Sequence, residues 1–271
     1  MSSDSQADQP RHMTSFPITQ VCDRFPGRAI EWHSSLDSTM IRAAQLAREG
    51  CAPGTVVGAD EQTAGIGRLG RTWHSEPGTG LYVSLVLRPN LAPDQLPILM
   101  LALALGTREA ILSAAAGPAI NVDLRWPNDV MLVVDHGTAR KCSGILAQLE
   151  GTAVVAGIGI NVSQQSFPDQ LETPATSLKL AGAFATREDL FCALLQSVDR
   201  YTTMLAEHGP TAILDRFLLH SSSAKGRRVR VHNAEQELIG VTCGLNPSGF
   251  LIIRDDNGKE TTVLAGGVRP L

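Results

Sequence analysis

Between Asp60 and His74 the chain reads Asp-Glu-Gln-Thr-Ala-Gly-Ile-Gly-Arg-Leu-Gly-Arg-Thr-Trp-His, and no other stretch narrows its possible folds as much. Gly65, Gly67 and Gly70 open backbone conformations closed to other residues, so that amide N–H groups can gather around an anion. Arg68 and Arg71 add planar cationic forks that match carboxylate or phosphate oxygens. The loop is suited to holding a small, negatively charged molecule. The same letters satisfy Gly-x-Gly-x-x-Gly, the dinucleotide fingerprint, and a strand-like Thr55–Ala59 precedes them. That fingerprint should open a helix and meet an acidic strand end about 20 residues on. Here the chain runs into Pro77, Gly78 and Gly80, and Arg88-Pro89-Asn90 stands where the acid belongs. A doubly wound nucleotide fold therefore fits poorly, and a turn-rich hairpin without a ligand is the plainer alternative.

The bulk of the chain bounds the remaining choices. Twenty-three basic residues against 27 acidic ones give a net charge of −4. That balance argues against a general nucleic-acid binder and leaves room for a local basic pocket. With 43 % hydrophobic and 18 % charged residues over 271 positions, the composition is that of a soluble protein with one large domain and a small one. Cys22, Cys51, Cys142, Cys192 and Cys243 are odd in number and show no metal-ligand spacing, which predicts reduced thiols. Cys142, beside Lys141, is a candidate nucleophile, although a strand-core role is the ordinary one for such a residue. Met1–Pro10 is polar with no apolar run behind a basic start, so a cytoplasmic protein is expected. The apolar run Leu96–Leu105 is too short for a bilayer and contains Pro97, so no membrane association is expected.

Residues 1–28 read as a flexible lead-in, too short for a DNA-binding helix-turn-helix module before the first strand, Ala29–His33. Ser38 then caps a helix with Met40, Ala43, Ala44, Leu46 and Ala47 on its apolar face, stopped by Gly50. Strands follow at 55–59 and 80–87, and an apolar helical stretch runs from Asp94 to Ala116. Further strands are predicted at Val122–Trp126, Val130–Val134, Lys141–Leu149 and Ala153–Ile160, the last so apolar that it should be central. Thr186 with Asp189 resembles a capping box opening a helix to His208, and Pro210 starts another. Beyond residue 222 come four short strand patterns separated by Asn233-Ala, Asn246-Pro-Ser-Gly249 and Asp255-Asp-Asn-Gly258. Those closely spaced strands read as a small β-barrel, residues 223–271, appended to an α/β or α+β domain over 29–222.

Three further segments sharpen the meaning of the loop. Arg125-Trp-Pro-Asn-Asp-Val130 reads as strand–turn–strand, Arg140-Lys-Cys-Ser-Gly-Ile-Leu146 puts a lysine at a strand start, and Gly157-Ile-Gly-Ile-Asn161 ends a buried strand. In this order, with Asp37-Ser-Thr39 upstream, they resemble the catalytic domain of a biotin protein ligase. The resemblance covers Trp32 to Asn161 through its motifs, and each motif is far less specific than the series.

The resemblance implies an α+β fold: a mixed β-sheet catalytic domain with helices, of the class II synthetase-like biotin–lipoate ligase type, plus a Src-homology-3-like C-terminal barrel. It implies an enzyme that uses MgATP to activate biotin as biotinyl-5′-AMP, then transfers biotin to a lysine of a biotin carboxyl carrier domain of acetyl-CoA carboxylase. Lys141 and Arg68 are the implied catalytic residues. Ser38, Thr39, Gln62, Gly65, Gly67, Arg68, Gly70, Arg71, Lys141, Gly144 and Gly157 are implied for biotin. Arg68, Arg71, Trp73, Asn128, Lys141 and Asn161 are implied for the nucleotide. Asp129 orients its neighbours or helps to place Mg2+, whose ligands the motifs do not name. The family often dimerises through its sheet, and no DNA partner is implied. Ile66 and Leu69 stand where the family is frequently basic, and Met40 where asparagine is frequent, which implies fewer polar contacts to the intermediate. A lipoate or octanoate ligase of the same fold and a non-catalytic biotin-binding sensor are the competing readings.

Overall fold

The computed structural model describes residues 16–91, 95–134, 137–232 and 237–271. A seven-stranded mixed sheet forms the larger part, from β1 (Ile30–His33), β2 (Val56–Ala59), β3 (Gly80–Leu87), β4 (Asn121–Arg125), β5 (Asp129–Val134), β6 (Thr138–Glu150) and β7 (Ala153–Asn161). The spatial order is β1-β2-β3-β7-β6-β5-β4, with only β1 and β2 parallel. Parallel neighbours need a crossover, and α2 (Thr39–Arg48) lies on the connection between them. The apolar β7 occupies the middle position, as its composition predicts.

The two faces of the sheet are covered unequally. One face packs on α3 (Leu96–Ala114) and α4 (Arg187–Leu219), through Leu81, Val83 and Leu85 of β3 and Ala156, Ile158 and Ile160 of β7. Gly106 lets the two helices approach, since a Cβ there would lie 3.2 Å from the Ser197 carbonyl oxygen. By length and composition α3 could cross a membrane, a longer apolar run than Leu96–Leu105 alone, yet most of it is buried in this core. Asp94, where its helical stretch was expected to begin, lies outside the described residues. α4 divides where Gly209-Pro210 predicts, with Gly209 at φ +73°, and Thr186 caps its start through the Asp189 amide.

On the other face α2 covers part of the sheet, its alanines fitting closely over Val57, Val86, Ala153 and Val155. Further along β7 the residues on this face are Gly157 and Gly159, and Gly159 pairs across the ladder with Gly144 of β6. Past the end of α2 the sheet therefore offers backbone without side chains, on which the Trp73 ring lies. That stretch is where a ligand can approach the sheet.

Part of the lead-in predicted to be flexible is helical: α1 (Ile18–Arg24) buries Val21, and Phe16 stacks on Trp32 with ring centroids 3.7 Å apart. Phe16, Ile18 and Val21 give this segment apolar surface to bury, which overrides its short length. Residues 1–15 lie outside the described residues.

The C-terminal strands β8 (Lys225–His232), β9 (Glu237–Leu245), β10 (Leu251–Arg254), β11 (Glu260–Val263) and β12 (Gly267–Pro270) form an antiparallel sheet ordered β11-β10-β9-β8-β12. Five strands were needed where four patterns were predicted, because Gly267–Pro270 carries too few β-formers to announce itself. The ladder is open, in contrast to a barrel closed by hydrogen bonds. Its two outer strands are nonetheless joined by residues 264–266, a link reaching at most ~14 Å, whereas a flat sheet would hold its edges ~19 Å apart. The sheet must therefore be strongly curled. Asn246 and Asp255 make the predicted turns, each side-chain oxygen accepting two backbone amides, while Asn233-Ala falls outside the described residues. The small sheet is pinned to the large one where Trp126 Nε1 donates to the Gly249 carbonyl at 2.9 Å. Trp126 is thus a core residue, as expected for a tryptophan with a buried partner.

Candidate active site

The glycine/arginine loop folds as a narrow hairpin at the bare end of the sheet. Thr63 donates to Asp37 and the Trp73 amide to the Gly65 carbonyl, while Ile66 and Thr72 pair near the tip. Gly65 is required by crowding, because a Cβ there would lie 2.6 Å from the Trp73 carbonyl oxygen. Gly70 is required by its φ of +73°. Leu69 also takes a left-handed conformation, φ +57°, and its side chain is 65 % exposed at the tip.

Two adjoining cavities open beside the hairpin. The smaller, about 50 Å3, is lined by Thr39, Met40, Gln62, Gly144, Gly157 and Gly159 among others. The larger, about 160 Å3, lies between the hairpin, Asn161, the loop Phe167–Ala175 and Gly266–Arg269 of the C-terminal sheet. Gly67, Arg68, Trp73, Asn128 and Lys141 line both, so they stand where the cavities meet.

At this junction the polar side chains are already placed. Arg68 donates to Asn128 Oδ1 at 2.9 Å, and Asn128 Nδ2 donates to the Ile145 carbonyl, fixing the turn between β4 and β5. Burial lowers the Arg68 pKa, with the Asp129 charge opposing; a guanidinium remains charged regardless. Lys141 Nζ lies 2.6 Å from Asp129 Oδ1 and 5.5 Å from the centroid of the Trp73 ring. Lys141 is not at the strand start, as its motif suggests, but beside a bulge: Met131 pairs with Lys141 and Val130 with Ser143, leaving Cys142 as the extra residue.

Trp73 packs against the sheet as a wall of the small cavity. A Cβ on Gly159 would come within 2.4 Å of its ring and one on Gly144 within 2.8 Å, so the two facing glycines make its berth. Its Nε1 is buried and has no hydrogen-bond partner among the described residues. Met40 lies against Gly157, its Sδ 2.7 Å from a Cβ position there. An apolar side chain thus covers the cavity floor where a polar contact was in doubt.

The helix start supplies the remaining polar groups. Ser38 occupies the N-cap position of α2 but makes no side-chain cap. Gln62 accepts from the Thr39 amide and hydroxyl instead, and the Ser38 hydroxyl, 1 % exposed, finds no partner among the described residues.

The remaining sequence-predicted residues fall less directly on the cavities. Gly65 and Gly70 line neither; they shape the hairpin. Arg71, expected to serve both ligands, lines the larger cavity alone and pairs with Glu172 at 2.6 Å. Asn161 is buried, lines the larger cavity and commits its Nδ2 to the Thr176 carbonyl. Cys142 is fully buried, with its pKa pushed up to about 12 by burial, which removes it as a nucleophile. Sequence reasoning missed Glu172, in a loop, and Arg269, on β12, neither of which belongs to a motif.

The geometry agrees with what the chain is similar to. Residues 32–165 match the biotin/lipoate A/B protein ligase family. A bifunctional ligase/repressor BirA of Bacillus subtilis is 34 % identical over 242 residues, 86 % of this chain and 71 % of that protein. A biotin–[acetyl-CoA-carboxylase] ligase of Paracoccus denitrificans is 32 % identical over 236 residues, 83 % of this chain and 93 % of that one. The biotin protein ligase from Aquifex aeolicus, solved in complex with biotin and ATP, superposes with a TM-score of 0.74 at 28 % identity, covering 90 % of this chain and 98 % of that chain. Relatives 32–34 % identical over most of both chains, and a fold shared with a solved biotin protein ligase, place the chain in the biotin/lipoate A/B protein ligase family, on its biotin protein ligase branch.

Proposed function

We propose that the chain activates biotin with ATP and transfers it to a lysine of a biotin carboxyl carrier domain. The observation that supports this most is the junction: Arg68, Asn128 and Lys141 face both cavities, so a carboxylate in one meets a phosphate in the other beside two cations. In the first step a biotin carboxylate oxygen attacks the α-phosphorus of ATP. The bond from that phosphorus to the bridging oxygen breaks and pyrophosphate leaves. Two anions must be brought together, so positive charge fixed beforehand lowers the barrier without reorganisation. Lys141 is the compact charge able to follow the oxygen shared between the reactants, and Arg68 neutralises the phosphate. In the second step the acceptor amine attacks the anhydride carbonyl carbon, AMP departs, and the amine gives up a proton.

Biotin takes the smaller cavity, with its ring polar groups answered by Thr39 and Gln62, which line it, and by Ser38, which lines neither cavity but has a buried hydroxyl without a partner among the described residues; Gly144 and Gly157 form its walls. The nucleotide takes the larger, beside Trp73 and Asn161. Mg2+ would enter with the phosphates of ATP, and Asp129, which pairs with Lys141, is the carboxylate that would help to hold it. A carrier domain of acetyl-CoA carboxylase is the acceptor suggested by the name of the Paracoccus relative. A cytoplasmic location fits the supply of ATP and five free cysteines. Pyrophosphate release from MgATP with biotin, lipoate or octanoate in turn tests the reading, followed by mass analysis of an added carrier domain. Release with biotin alone is expected, and release only with another acid would overturn the choice of substrate.

A further inference from the structure

The bulge keeps Lys141 paired with Met131 of β5 on one side, while its other side lacks an ordinary strand neighbour. β7 ends at Asn161, opposite Cys142, so on that side Lys141 lies beyond the ladder. The segment after it takes over. The Lys141 amide donates to the Pro174 carbonyl at 2.8 Å, and its carbonyl accepts the Thr176 amide at 2.9 Å. Asn161 Nδ2 then donates to the Thr176 carbonyl at 3.0 Å, anchoring this strand-like piece to the end of β7. At its other end Glu172 pairs with Arg71 of the hairpin and, at 3.6 Å, with Arg269 of the C-terminal sheet.

We propose that residues 172–176 are a positioning strap: they set the place of Lys141 and tie it to the hairpin and the C-terminal sheet. The proposal deepens the ligase reading and rests on it. A half-exposed ion pair contributes little to stability, so the function of Glu172 is geometric: it holds one end of a short backbone segment whose other end fixes the reacting cation. Small misplacements of such a charge have large kinetic effects.

Pro174 is exposed and lines neither cavity, so changing it cannot remove a ligand contact. Pro174→Gly keeps the carbonyl acceptor and loosens the backbone. It is expected to lower kcat for biotin-dependent pyrophosphate release about tenfold, with KM for biotin and ATP within about twofold. Pro174→Ala should recover part of the loss. Without any ligand, the Lys141 amide should exchange its hydrogen faster in Pro174→Gly than in the parent. Glu172→Gln should lower kcat about threefold, and adding Arg269→Gln should lower it no further, because both cut the same anchor. Unchanged kcat and unchanged Lys141 exchange in Pro174→Gly overturn the strap; should that variant fail to fold, an unchanged kcat in Glu172→Gln does so instead. A raised KM for ATP at full kcat also overturns it, since that marks direct nucleotide contact. A parent protein that releases no pyrophosphate sinks the ligase reading instead, while the exchange experiment still decides the strap.

Discussion

Gln62 Oε1 accepts both the backbone N–H of Thr39, at 2.9 Å, and its hydroxyl, at 3.0 Å. A residue from the base of the hairpin thus caps α2, and the residue at the N-cap position, Ser38, is released from that duty. A buried hydroxyl without a partner is costly, about 1–3 kcal/mol. Ser38→Ala should therefore leave stability unchanged or slightly raised, while Gln62→Ala lowers it by about 1–2 kcal/mol. Both should weaken biotin binding. Thermal unfolding alongside a biotin titration checks this, and an S38A protein that loses stability but binds biotin normally would refute the assignment.

Lys141→Ala should fold and lose at least ~100-fold in adenylation rate, the scale of removing one preorganised transition-state charge. Its partner Asp129 is left partly buried, so a modest drop in thermal midpoint is also expected. Near-normal single-turnover formation of the adenylate by this variant would remove Lys141 from the mechanism.

Gly159 and Gly157 separate two kinds of crowding. A Cβ on Gly159 meets the rigid Trp73 ring, whereas one on Gly157 meets the flexible end of Met40. Gly159→Ala should expel the indole, red-shifting tryptophan emission and weakening ligand binding at least tenfold, about the 1.4 kcal/mol equivalent of a modest packing clash. Gly157→Ala should do much less. Equal effects from the two would show that Trp73 does not occupy this berth in solution.

Alkaline pH should destabilise the protein through two buried groups. Burial pushes Cys142 up from an ordinary value near 9, and Tyr82 up from near 10, each to about 12. The folded chain keeps these protons where the unfolded chain releases them, so this stability is complete below about pH 9 and is lost as pH rises toward 12. Urea midpoints should fall across that range, and Cys142→Ala should show a shallower slope. A slope unaltered by that substitution would assign the effect elsewhere.

The hairpin from Gln62 to Trp73 gathers cations and glycines around a site whose ligand would join them. Its amide exchange should slow when biotin and ATP are both present. Exchange indifferent to both ligands would mean that the hairpin is as rigid empty as filled.

Most of the site could be read from the chain because its chemistry is concentrated in short motifs: the loop, the turn before Asp129 and the end of β7 each bring several functional residues at once. The central place of β7 was legible because a strand covered on both faces is nearly all apolar. Ser38 shows where such reading stops. Its position as N-cap follows from local sequence, but that Gln62 takes over the capping depends on how the hairpin base folds back, 23 residues away. The strap was invisible for a related reason. Its hydrogen bonds come from backbone groups of Pro174 and Thr176, and backbone groups carry no letter. Phe16 likewise gains its meaning only from the Trp32 ring it stacks on.

The extra residue at Cys142 gives the protein an irregular ladder at the one point where regularity would be easiest to restore. Pairing β5 and β6 straight through, with Cys142 opposite Met131, would remove the irregularity, and a procedure that rewards ideal strands would favour it. Since side chains alternate faces along a strand, that register would turn the residues before Cys142 to the other face of the sheet. Lys141 and Gly144 could then no longer share a face. Any redesign of this scaffold for hardiness should treat that defect as untouchable.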